Sequence, residues 1–170
     1  MTYKESLIID MKRLSLTPRV IFIGYNTKLG HQMYGTLKNC EHACIETPVA
    51  ENLMMGLAMG MSLEGYQPIV CFERSNFLLP AADAIINHLD RMPKMSGEFI
   101  FPVIIRVVIP TNKPLDPGLQ HLGDFTDIIS RHTDIPVVDY EPGIYQMFLK
   151  SKQAVCIKEW KEKYEYEISG

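Results

Sequence analysis

Glu51 is a carboxylate placed where it can do work. It closes the run Ile45-Glu46-Thr47-Pro48-Val49-Ala50-Glu51, just as an apolar stretch begins with Leu53, Met54, Met55, Leu57, Ala58, Met59, Met61 and Leu63. A carboxylate in the first turn of such a helix either complements the positive end of the helix dipole or serves as a working acid. Apolar neighbours such as Met54 and Met55 favour its proton-holding form, and the helix N-terminus favours the ionised one. Three further stretches carry reactive groups. His31 follows a short apolar run, Glu73-Arg74-Ser75-Asn76 follows another, and Gln120-His121 ends a long Pro/Gly/Asn segment. An imidazole can move a proton near neutral pH, and Glu73 with Arg74 can face a polar or charged substrate.

The groups that are absent narrow the chemistry. There is no Gly-x-Gly-x-x-Gly, no phosphate loop and no Gly-x-Ser-x-Gly, the signatures of dinucleotide, nucleotide and serine-hydrolase sites. No histidine pair has metal-ligand spacing, and His42, His88 and His132 read as structural or surface residues. Cys40 and Cys44 bracket His42, but the pair is too widely spaced for a usual zinc site. With Cys71 and Cys156 they read as reduced thiols acting as small apolar residues. A formal net charge of −3, with both signs spread along the 170 residues, argues against nucleic acid or an anionic membrane as the partner. No stretch approaches the ~20 apolar residues of a bilayer span, and the charged N-terminus does not read as a secretory signal. The expected compartment is the cytoplasm.

The elements that position these groups alternate. Helical spacing predicts helices over 4–16, 31–38, 49–64, 80–92, 122–131 and 142–150. Short apolar runs without alternation predict strands over 19–24, 41–46, 68–72, 101–109, 135–139 and 154–157. Such runs belong to strands buried on both faces. The pattern specifies one α/β domain over 1–170, a doubly wound, mostly parallel sheet of about six strands with helices on both faces. The helix over 49–64 is apolar nearly all round and so should be central. The charged tail, 158–170, reads as an arm or as a strand completed by a partner. In such folds ligands sit at the carboxyl ends of strands, which gathers Glu51, the Glu73–Phe77 segment and His121 at one end of the sheet.

From residue 46 to about 138 the chain resembles the pyrimidine-binding domain of thiamine-diphosphate enzymes, nearest to the beta subunits of 2-oxo-acid dehydrogenases. The residues that carry the likeness are Glu46-Thr47-Pro48-Val49-Ala50-Glu51, Gly56-x-Ala58-x-Gly60, Gly65-x-x-Pro68-Ile69, Phe72-x-x-x-Asn76-Phe77, Ala84-Ile85-Ile86-Asn87, Met95-Ser96-Gly97, Pro102-Val103-x-x-Arg106 and Gln120-His121. The resemblance implies thiamine diphosphate as cofactor. That cofactor would supply an acidic thiazolium C2 and an electron sink for breaking a C–C bond of a 2-oxo acid or ketose. It implies that Glu51 acts on N1′ of the aminopyrimidine and that His121 is an active-site histidine. Phe72, Ser75 and Phe77 fall where the family flanks the pyrimidine. His31, Glu73, Arg74 and Gln120 fall where substrate can be reached.

Two departures qualify the resemblance. Glu73 stands where an apolar residue is usual and Ser75 where a stacking aromatic is usual. The Gly-Asp-Gly…Asn-Asn pattern that holds Mg²⁺ and the diphosphate is missing. The resemblance therefore implies a separately encoded diphosphate-binding subunit that holds the Mg²⁺, with self-association about a two-fold axis in a heterotetramer. The Gly56-x-x-x-Gly60 face is the candidate contact. The alternative is a non-catalytic binding or regulatory module that keeps the fold over a degenerate site.

Overall fold

A computed structural model describes residues 1–168. Six strands form one sheet: β1 (Val20–Gly24), β2 (Cys44–Glu46), β3 (Gln67–Phe72), β4 (Ile104–Ile109), β5 (Val137–Asp139) and β6 (Val155–Trp160). Their order is β2-β1-β3-β4-β6-β5, and every pairing is parallel. The doubly wound expectation holds. Alternate residues point to opposite faces, and both faces are apolar. Phe22, Ile69, Cys71, Ile104 and Val108 meet α1 (Tyr3–Ser15) and α6 (Ile144–Ser151). Ile23, Val70, Phe72, Ile105 and Val107 meet α2 (Glu51–Leu63), α3 (Leu78–Asp83) and α5 (Asp127–His132).

Local signals set the element ends. A reciprocal capping box starts α1: Thr2 Oγ1 accepts from the Glu5 N–H at 3.2 Å, and Glu5 Oε2 accepts from the Thr2 N–H at 2.8 Å. Gly65, at φ +81°, ends α2, with the Gly65 and Tyr66 N–H groups returning to the Ser62 and Met61 carbonyls. Gly24 closes β1 because a Cβ there would lie 2.7 Å from the Cys71 carbonyl oxygen on β3. The helix that starts with α3 runs on through a π-helical stretch, Ala84–Asp90, into α4 (Arg91–Ser96). It thus passes the predicted end at residue 92.

Three expectations change. Residues 31–38 are not a helix. Gln32, Met33 and Tyr34 take φ of +49°, +49° and +58°, a left-handed turn that L-residues adopt only when their surroundings impose it. Next, α2 is not enclosed on all sides. Met54, Met55, Ala58 and Met59 face the sheet. Val49, Leu53 and Leu63 are exposed, and a Cβ on Gly56 or Gly60 would meet nothing within 4 Å. Finally, 158–168 does not stand off as an arm. Lys158 to Trp160 complete β6, Tyr164 is buried beside Tyr3, and Thr2 bridges to Glu167. Of that predicted arm, residues 169 and 170 lie outside the described residues.

A charged plug fixes the α1 face of the sheet. Arg106 and Glu159 are fully buried, with Arg106 Nε and Nη2 donating to Glu159 at 2.8 and 2.9 Å. Arg106 Nη2 also donates to Thr36 Oγ1 at 2.6 Å, and the Tyr145 hydroxyl donates to Glu159 at 2.6 Å. The plug ties β4, β6, α6 and the left-handed segment together. The four cysteines are free and buried. Burial pushes the Cys44 and Cys71 thiols up to about 12, as befits packing groups.

Candidate active site

The sheet's connections dictate where a site can form. From β1 the chain crosses to edge strand β2 over the face where Met33, Leu37 and Cys40 pack. From β3 it moves the other way, to β4, over the face where Leu78 and Ala81 pack. Neighbours β1 and β3 therefore part at their carboxyl ends, the switch point at which open α/β sheets bind ligands. The loop after β1 and the segment after β3 form its two walls.

Glu46, at the end of β2, builds the first wall. Its carboxylate accepts the backbone N–H groups of Asn26, Thr27, Lys28 and Leu29 at 2.7, 3.1, 2.7 and 3.2 Å, and the Thr27 hydroxyl at 3.1 Å. Burial alone would raise the Glu46 pKa, but these donors outweigh it and hold the carboxyl below its ordinary range. Glu46 is thus a positioning residue. It sets the loop that presents Tyr25 and Asn26.

Glu51 is buried in the first turn of α2. Its side chain receives one hydrogen bond among the described residues, a long one from the Tyr25 hydroxyl at 3.4 Å. Burial, and next the Glu51 charge, push the Tyr25 pKa far up, so its hydroxyl keeps its proton and donates. Phe77 stands edge-on to Tyr25, with ring centres 5.7 Å apart, and the tilted His121 ring also lies 5.7 Å from Phe77. The cluster Glu51, Tyr25, Phe77, His121 thus brings together both predicted catalytic residues and one of the predicted cofactor-flanking aromatics. His121 Nδ1 contacts Asn76 Oδ1 at 3.3 Å, and its Nε2 contacts Gln120 Nε2 at 3.1 Å. An Asn76 oxygen needs a donor and a Gln120 amide supplies one, which fixes the Nδ1–H tautomer. Gln120 is exposed, so the Nε2 side can exchange its partner for a substrate group.

The other predicted residues are placed differently. Phe72 is fully buried in the core on the α2 side. Ser75 is also fully buried, its hydroxyl donating to the Gly123 carbonyl at 2.7 Å. It anchors the loop after β4 instead of flanking a ring. Glu73 is buried and already well partnered. It accepts from His31 Nε2 at 2.6 Å, Asn26 Nδ2 at 3.0 Å and Arg74 Nη1 at 3.4 Å. Burial would raise its pKa, and the His31 and Asn26 hydrogen bonds reverse that into a net lowering. His31 is engaged at both nitrogens, for its Nδ1 accepts the Tyr34 N–H at 3.0 Å. Its ring stacks on Tyr34 at 4.6 Å, and the Tyr34 hydroxyl donates to the Glu73 carbonyl at 3.1 Å. This network imposes the left-handed turn. It makes Glu73 and His31 a lock between the two walls. Arg74 projects over Phe77 at 5.9 Å.

Tyr25, Asn26 and Tyr34 are the residues that sequence reading missed, while Asn76, read only as part of the segment after β3, is placed as a partner of His121. Tyr25 and Asn26 follow Gly24 directly at the carboxyl end of β1, so the strand-end rule that picked out Glu51 points to them as well. Tyr34 carried no such signal.

Two polar groups are underused: Glu51 in the cluster, and the Thr47 hydroxyl that follows β2, which is buried with no partner among the described residues. A buried carboxylate with spare acceptor capacity, next to aromatic edges, fits a flat nitrogen heterocycle that donates to it. Among the described residues no three His, Cys, Asp or Glu side chains gather as a metal site.

A six-stranded parallel α/β domain with a buried carboxylate at its first switch point defines a ligand-binding domain of the doubly wound class. The chain belongs to the transketolase pyrimidine-binding domain family, whose model matches residues 14–100. It is 34% identical over 91 residues to 3-methyl-2-oxobutanoate dehydrogenase subunit beta of Mycobacterium tuberculosis, covering 53% of this chain and 25% of that one. It is 38% identical over 81 residues to pyruvate dehydrogenase E1 component subunit beta of Gracilaria tenuistipitata var. liui, covering 47% and 24%. With 2-oxoisovalerate dehydrogenase subunit beta of Pseudomonas aeruginosa the match is 25% over 143 residues, covering 81% and 39%. Each match thus spans well under half the length of the relative. A solved structure described as split gene transketolase, inactive beta4 tetramer, superposes with a TM-score of 0.69 over 98% of this chain and 51% of that one, at 15% identity. That likeness establishes the fold.

Proposed function

We propose that this chain is the pyrimidine-binding part of a thiamine-diphosphate enzyme that cleaves or transfers a C–C-bonded unit of a 2-oxo acid or ketose. The carrying observation is Glu51: a carboxyl group buried at the switch point, in the family's motif position, with a single long hydrogen bond. When bound, the cofactor supplies an acidic thiazolium carbon and an electron sink. Glu51 would hold a proton at N1′ of the aminopyrimidine, and Tyr25 and Phe77 would border the ring. His121 would hydrogen-bond the substrate or shuttle a proton through Nε2. Arg74 would meet a negative substrate group.

Completion by another subunit, one that holds the diphosphate and Mg²⁺, is part of this reading. Two likenesses support it: the relatives are named as beta subunits, and the solved structure of the same fold is described as the product of a split gene. Leu53, Gly56, Gly60 and Leu63 recur at helical spacing along the open side of α2, with exposed Val49 just ahead of the helix, a surface suited to close helix packing about a two-fold axis. A second reading, a binding or regulatory module, draws on Ser75. Its hydroxyl is committed to the Gly123 carbonyl, which leaves the pyrimidine without the expected stacking group. Reconstitution with a separately encoded diphosphate-binding subunit separates the two. The enzymatic reading expects turnover that falls by about 10²–10⁴-fold in Glu51→Gln, the scale of lost acid–base catalysis. Undiminished turnover in that variant would overturn the role given to Glu51.

A further inference from the structure

A second crevice opens where β4 and β6 lie side by side. The segment after β4 leads to α5, whose Ile129 packs on the α2 side of the sheet. The segment after β6 carries Tyr164 into the core on the α1 side. Chains that leave the carboxyl ends of two adjacent parallel strands towards opposite faces open a crevice there, and in open α/β sheets ligands lie outside those strand ends. The space is a cleft of about 980 Å³. Its walls include Lys113 after β4, Lys161 and Tyr164 after β6, Lys4 of α1, and Tyr34 of the left-handed turn.

Among the described residues the cleft's cations are unpaired: no carboxylate comes within ion-pairing distance of Lys4, Lys113 or Lys161. Two of them rest on aromatic faces instead: Lys161 Nζ is 4.3 Å from the centre of the Tyr34 ring, and Lys4 Nζ is 5.9 Å from that of Tyr164. A ring face attracts an ammonium group without neutralising it. Burial, followed by repulsion from Arg74, holds the Lys161 pKa below the ordinary lysine range. The Glu73 carboxylate opposes the shift without reversing it. Glu162 and Glu165 also line the cleft and are exposed. They offer acceptors to hydroxyl groups and leave the lysines in excess.

We propose that this cleft binds a small hydroxylated organic molecule through an oxyanion, a phosphate or carboxylate group held by Lys161, Lys113 and Lys4. Tyr34 joins it to the switch point between β1 and β3, because the same side chain walls the cleft and stacks on His31. The proposal does not depend on the cofactor reading, since no residue of the Glu51 cluster lines the cleft.

The test is a calorimetric titration of the full chain with glycerol phosphate, with malate, and with glycerol as the uncharged control. One or both anions should bind saturably and glycerol should not, the tighter anion identifying the preferred oxyanion. Lys161→Gln and Lys113→Gln should each weaken that binding by about tenfold, the scale of one charged hydrogen bond, while Glu51→Gln binds as the wild type does. Lys113 sits in a loop outside both cores, so its variant remains informative if Lys161→Gln fails to fold. Failure of both anions to saturate, wild-type affinity in both lysine variants, or equal binding of glycerol would each overturn the proposal.

Discussion

Glu73→Met, made alone and together with His31→Ala, tests whether Glu73 locks the two walls of the switch point. His31→Ala by itself leaves a buried carboxylate with Asn26 at 3.0 Å and Arg74 at 3.4 Å, and removes its shortest partner at 2.6 Å. The loss of a hydrogen bond to a charged group costs about 1.5–3 kcal/mol. In a domain of this size each kcal/mol shifts Tm by roughly 2–4 °C, so His31→Ala should melt about 3–12 °C lower. The double variant replaces both partners, removes the stranded charge and restores the apolar residue usual at this place, so it should recover much of that loss. A double-mutant cycle from urea unfolding should then show coupling of about 1–2 kcal/mol. The sign with pH follows from the lowered Glu73 pKa. Such a carboxylate stabilises the fold above its unfolded value, and that contribution disappears as pH falls through the lower folded value. The difference between wild type and Glu73→Met should therefore be full at neutral pH and fade in acid below the ordinary value of 4.5. Additive single effects, or a difference that does not fade in acid, would refute the lock and return Glu73 to the substrate-facing role.

Other outcomes follow from the same structure. Arg106→Leu strands the fully buried Glu159 with Tyr145 alone. It should cost about 3–5 kcal/mol, a fall in Tm of about 6–20 °C by circular dichroism. Gly24→Ala drives a Cβ to 2.7 Å from the Cys71 carbonyl and should cost about 1–3 kcal/mol in urea unfolding. Leu53→Asp changes an exposed residue of the open α2 face. It should leave the unfolding of the isolated chain within about 0.5 kcal/mol and weaken self-association by light scattering; unchanged assembly would remove α2 from the two-fold contact.

The sheet was legible because its strands are buried on both faces. Unbroken runs such as Val20-Ile21-Phe22-Ile23 have few other uses, and the strand-end rule then placed Glu51, Glu73–Phe77 and His121 together. The left-handed turn at 32–34 was not legible. Its local spacing suits a helix, and what overrides that is a tertiary network through His31, Tyr34 and Glu73 that joins segments far apart in the chain. Ser75 was legible as a departure but not as an anchor, since its partner is a backbone carbonyl at Gly123 whose position depends on the whole loop after β4. The open side of α2 was legible only in part: its Gly56-x-x-x-Gly60 face read as a subunit contact, yet the helix as a whole read as central. An apolar helix reads the same whether its outer face meets its own chain or another.

The most direct test of the cofactor site is calorimetric titration of thiamine diphosphate with Mg²⁺ into this chain alone and into its complex with a separately encoded diphosphate-binding subunit. Saturable binding to the complex, weakened in Glu51→Gln and lacking in the isolated chain, is the expected result. A reconstituted complex that takes up no cofactor would contradict the enzymatic reading and leave the binding module in its place.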